Sequence, residues 1–183
     1  MWKMVGVDFT RPGGIIRYRG LFDWDGLYQA MADWFKRYRF ILHEETYKHK
    51  VPSPRGAEQE LRWIATSDVT DYIRFKIVVD FHLWDMTEVE IVRDGKKKLL
   101  TNARIQITLK NTLITDWQNR FEKNSFTRML RGLWDCYIER RMIESGYGDI
   151  IFYRTWDLHA YIKKYLDMQT AWHEYAGYLG ENR

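Results

Sequence analysis

The sequence predicts an α+β fold in which an antiparallel β-meander of about five strands carries helices on one face. Apolar residues alternate with period two from Phe40 to Leu113, and they recur at helical spacing before and after that stretch. Strands and helices segregated along a chain favour a layered antiparallel sheet over the interleaved helices of a parallel one. No internal repeat and no Ser/Gly/Pro-rich linker divides the 183 residues. The expectation is one domain over 1–183, with 170–183 a candidate C-terminal interaction extension.

Residues 1–20 read as extended, with Val5, Val7 and Phe9 alternating, a turn at Arg11-Pro12-Gly13-Gly14, and Ile15 to Arg19 extended again. Asp23 is the predicted N-cap of the first helix. Leu27, Met31, Trp34, Phe35 and Tyr38 then form one apolar stripe, and Lys36, Arg37 and Arg39 crowd its C-terminal end. Strands are expected over 40–50, 57–66, 72–84, 86–93 and 97–110. The clearest is 72–84, where Phe75, Ile77, Val79, Phe81 and Leu83 oppose Arg74, Lys76, Asp80 and His82. Asp94-Gly95 is the strongest hairpin signal in the chain. Two C-terminal helices follow. One carries Phe126, Met129, Leu130, Leu133, Trp134 and Tyr137, and ends at Gly146-Tyr147-Gly148. After a short extended piece, Asp149 to Tyr153, Thr155 is expected to cap a last helix through Leu158, Ile162, Tyr165 and Met168.

This order of strand, helix, antiparallel strands and C-terminal helices resembles the helix-grip fold of START-like and polyketide-cyclase-like proteins. The resemblance lies in the element order alone. It implies a curved sheet wrapped around a long C-terminal helix, often with an apolar ligand cavity between them.

Composition narrows the function classes. Hydrophobic residues are 45% and charged residues 30% of the chain, which excludes disorder and low-complexity sequence. The longest apolar runs, such as Ile150 to Tyr153, are too short to span a bilayer as a helix. No signal-peptide stretch is read at the N-terminus. The single cysteine, Cys136, excludes an internal disulfide and suits a reducing cytoplasm. Net charge is +4, yet residues 93–110 alone carry +5, so the basicity is local and the polybasic body of a strong nucleic-acid binder is missing.

No nucleophile elbow, phosphate loop or dinucleotide fingerprint is present, and Cys136 lacks a Cys/His/Asn context. His43 and His49 lie too far apart along one strand to share a metal. No catalytic residue and no cofactor is expected. The weak metal candidates are Asp80, His82, Glu88 and Glu90, placed on one wet face around an expected turn at 84–86. Their plainer reading is cross-strand ion pairing with Arg74, Lys76 and Arg104. Arg93, Lys96, Lys97 and Lys98 at the hairpin tip are candidates for contact with an anion or an acidic partner. Trp2, Trp24, Trp156, Trp172, Tyr175 and Tyr178 cluster near the chain ends and are candidates for a protein interface. The expected function is therefore a non-enzymatic structural or protein-interaction domain that self-associates or docks onto a larger assembly. The alternative is an apolar small-molecule binder of helix-grip type. The third option, nucleic-acid binding through 93–110, explains the local charge alone.

Overall fold

The computed structural model describes residues 9–53, 56–93, 96–118 and 146–168. Within them lie β1 (Phe9–Phe22), α1 (Trp24–Arg37), β2 (Ile41–Ser53), β3 (Gly56–Asp68), β4 (Ile73–Arg93), β5 (Lys96–Thr115) and α2 (Gly148–Tyr165). The strands form one antiparallel sheet in the order β1-β5-β4-β3-β2. Strands β2 to β5 meander, and β1 returns beside β5, so the first and last strands are neighbours. The class is α+β, as the segregated periods predict.

Period-two alternation decides which side is dry. Leu61, Trp63 and Ala65 of β3, Phe75 to Leu83 at alternate positions of β4, and Ala103 to Leu109 at alternate positions of β5 are all buried. Against this face lies α1, held at its start by Asp23, whose Oδ1 accepts the Gly26 amide at 2.9 Å. Its stripe of Trp24, Leu27, Met31, Trp34 and Phe35 is buried, each side chain contributing about 1.5–3 kcal/mol over leaving it in water. Edge-to-face ring contacts run from Phe22 to Trp24, Phe81 and Trp63, which joins Tyr28 and Phe35 of α1.

Three expected boundaries move. The turn expected at 84–86 is a bulge: Trp84 pairs with Arg104 and Thr87 with Asn102, so Asp85 and Met86 oppose Ala103 alone. Strands 72–84 and 86–93 are thus one 21-residue strand, and the sheet has five strands with the N-terminal one included. An interrupted alternation looks the same in sequence whether the chain turns or bulges.

The turn expected at 11–14 is likewise a bulge, where Gly13 and Gly14 interrupt the ladder between Pro12–Lys110 and Ile15–Thr108. Gly14 has φ +100°, and a Cβ on Gly13 would overlap Thr155 Cγ2. The two glycines open room for α2 to settle onto β1.

Helix α2 begins at Gly148 rather than at Thr155. The apolar run Ile150 to Tyr153 fits a strand or a helix by itself. Ile151, Thr155, Leu158 and Ile162 make one buried helical stripe, and the Thr155 hydroxyl donates to the Ile151 carbonyl at 2.8 Å inside the helix. The expected helix over 126–145, and any continuation of the last helix past residue 168, lie outside the described residues. No described helix is long and apolar enough to cross a membrane.

Candidate functional site

The wet face of the sheet gathers the polar side chains that alternate with the core. Glu58, Glu60 and Arg62 project from β3, Asp80 and His82 from β4, and Gln106, Thr108 and Lys110 from β5. Register sets Arg62 opposite Asp80 and Glu60 opposite His82. Asp80 is held by two cations, Arg62 Nε at 2.6 Å and Lys110 Nζ at 3.4 Å. The hydrogen bond to Asp80, with its charge, raises the Arg62 guanidinium above its ordinary pKa.

His82 forms the second group. Its Nε2 lies 2.6 Å from Glu58 Oε1 and 3.7 Å from Glu60 Oε1. The ring stacks on Trp84 with centroids 3.8 Å apart, and Arg104 sits over the same indole at 5.0 Å. Between the two groups runs an open groove of about 310 Å³, lined by Glu60, Arg62, Asp80, His82, Gln106 and Thr108. Arg17 of β1 reaches its margin by donating to Gln106 Oε1 at 2.8 Å.

The structure keeps Asp80 and His82 on this face and separates Glu88 and Glu90 from them. Because residues 85–86 bulge instead of turning, Glu88 lies six residues further along the same strand, about 20 Å away at strand rise. Their places beside His82 are taken by Glu58 and Glu60 of β3, which alternate with the buried Leu61, Trp63 and Ala65 but carry no signal within 57–66 that joins them to the histidine. Pairing 57–66 with 72–84 across the short connection at 69–72 would have set Glu60 opposite His82.

Beyond the bulge the described sheet narrows to two strands. Among the described residues, β3 stops pairing with β4 at Met86 and β1 stops pairing with β5 at Thr101. Among the described residues, Thr87–Arg93 and Lys96–Leu100 therefore form a ribbon whose ladder partners are each other. Val92 is 71% and Leu99 56% exposed there.

Two of the four basic residues suggested for anion contact have acidic neighbours in the chain. Lys97 Nζ lies 3.0 Å from Glu90 Oε1, and Lys98 Nζ 2.9 Å from Asp23 Oδ2. Burial works to raise the Asp23 carboxyl pKa, but Lys98 and the Gly26 amide outweigh it and hold the group below its ordinary value. The side chains of Arg93 and Lys96 lie outside the described part.

Of the aromatic residues suggested for an interface, Trp24 is 8% exposed and belongs to the chain's own core. Trp156 is half-buried on α2, against Phe152 and His159. Trp2, Trp172, Tyr175 and Tyr178 lie outside the described residues. Comparison with protein-family models gives no match, and comparison with curated proteins gives no similar sequence.

Proposed function

We propose that this chain is a non-enzymatic interaction domain that self-associates through the β4–β5 ribbon, in a cytoplasmic setting. The observation that carries this reading is the ribbon itself, which extends past both flanking strands with Val92 and Leu99 exposed. Open strand edges are templates for pairing with another chain.

Charge selects the occupant. The ribbon segment of β4 carries Glu88 and Glu90, and that of β5 carries Lys96, Lys97 and Lys98. Pairing β4 with β4 of a second copy sets carboxylates together, and pairing β5 with β5 sets ammonium groups together. Like charges opposed across a ladder destabilise it, whereas β4 of one copy against β5 of the next joins unlike charges. Such a contact is head-to-tail and extends with concentration. The order of strand, helix, antiparallel strands and C-terminal helix is the support for the helix-grip likeness.

Sedimentation velocity tests the reading. At low salt the mass should rise with protein concentration; at 0.5 M salt, where the Debye length is only a few ångströms, it should fall toward the monomer. Val92→Lys with Leu99→Lys should leave a folded monomer. A wild-type chain that is monomeric at every salt and concentration refutes the proposal.

A further inference from the structure

We propose that Glu58, Glu60 and His82 form a binding site for one first-row divalent cation of the Zn²⁺ type. Glu58 and Glu60 are two apart on β3 and share a face, while His82 faces Glu60 from the adjacent strand. An i, i+2 pair with a cross-strand third residue places three donors over one point above the sheet. Their ligand atoms all lie within 4.8 Å of one another. Around a tetrahedral ion with bonds of about 2.0–2.2 Å, donor atoms sit roughly 3.4 Å apart. The 3.7 Å separation of His82 Nε2 and Glu60 Oε1 already meets that spacing. The 2.6 Å separation of His82 and Glu58 opens to it by less than about 1 Å, within the reach of a glutamate rotamer adjustment.

The ring arrives positioned. Stacking on Trp84 fixes the plane of the His82 imidazole, so little ordering remains for the ion to impose. Asp80 stays with Arg62 and Lys110, which reserves the site for the other two carboxylates. Three protein donors leave a position open toward the 310 Å³ groove, where water completes the coordination.

Donor type sets the class of ion. Imidazole with carboxylates suits Zn²⁺ and its first-row neighbours, while Mg²⁺ and Ca²⁺ prefer oxygen alone. Across the β2–β3 ladder, Lys48 stands opposite Glu60 and Lys50 opposite Glu58.

Calorimetry and thermal melting on the full chain, stripped with chelator, test the site. Zn²⁺ should bind at one equivalent and raise the melting temperature by roughly 5–10 °C at a hundredfold excess over Kd. Mg²⁺ should leave it unchanged. His82→Gln should weaken Zn²⁺ binding at least tenfold, and Glu60→Gln should do the same should the histidine variant fold poorly. His43→Gln, which removes an exposed imidazole elsewhere on the sheet, should leave the affinity intact. Absence of saturable Zn²⁺ binding, equal binding of Mg²⁺, or Zn²⁺ affinity undiminished in both His82→Gln and Glu60→Gln would overturn the assignment.

Discussion

Replacing Gly13 with alanine adds one methyl at the point where α2 meets β1. That methyl would overlap Thr155 Cγ2 and lie 3.0 Å from Leu109 Cβ, where carbon atoms prefer about 3.5–4.0 Å. Strand β1 is paired with β5 on both sides of the bulge and has little freedom to retreat, so the helix must lift. Overpacking of this kind costs about 1–3 kcal/mol. For a domain of this size that lowers the melting temperature by roughly 2–12 °C. Thr155→Ser removes Cγ2 while keeping the hydroxyl that donates to Ile151, and by itself costs on the order of 0.8 kcal/mol for the lost methyl. In the double variant the added methyl takes the vacated space, so the two changes should couple favourably by about 0.5–3 kcal/mol. Urea denaturation followed by tryptophan fluorescence measures all four corners of the cycle. A Gly13→Ala loss under about 0.5 kcal/mol, or a double variant no better than the sum of the singles, would refute the account of how α2 is seated.

Asp23→Ala removes the N-cap of α1 and the partner of Lys98, and should cost about 0.5–2 kcal/mol by chemical denaturation. Because the folded carboxyl titrates below its unfolded value near 3.9, its contribution is full above that pH and is lost as pH falls through the folded value. The difference between wild type and Asp23→Ala should therefore shrink in acid, and a gap that widens there would contradict the cap. Phe81→Ala opens a hole between Trp24 and Trp63 and should cost about 3–5 kcal/mol. A loss below about 1 kcal/mol by the same measurement would show that these rings are not packed as described.

Strands with unbroken alternation were legible from the residues. Phe75 to Leu83 and Ala103 to Leu109 face the core as their period requires, and Asp23 caps α1 as its position before the stripe suggests. The errors fell where alternation breaks, because Asp85-Met86 and Gly13-Gly14 satisfy the composition of a turn and of a bulge equally well. What separates those readings is whether the neighbouring strand continues, a long-range fact. One misplaced turn also misplaced the candidate site, by carrying Glu88 and Glu90 toward His82 and leaving Glu58 and Glu60 aside. Burial of Trp24 is long-range too: its ring meets Phe81 of β4, and nothing near it in sequence says whether an aromatic near a chain end faces its own core or another molecule.

Amide hydrogen exchange along the ribbon, followed as a function of protein concentration, tests the proposed self-association most directly. Pairing with a second copy protects outward-facing amides within Thr87–Arg93 of β4 and Lys96–Leu100 of β5, while the Phe75–Leu83 stretch of β4 is already paired on both sides. The account predicts that exchange in the ribbon slows as concentration rises at low salt, that high salt restores it, and that Phe75–Leu83 does not change. Ribbon amides that exchange at the same rate at every concentration would contradict it.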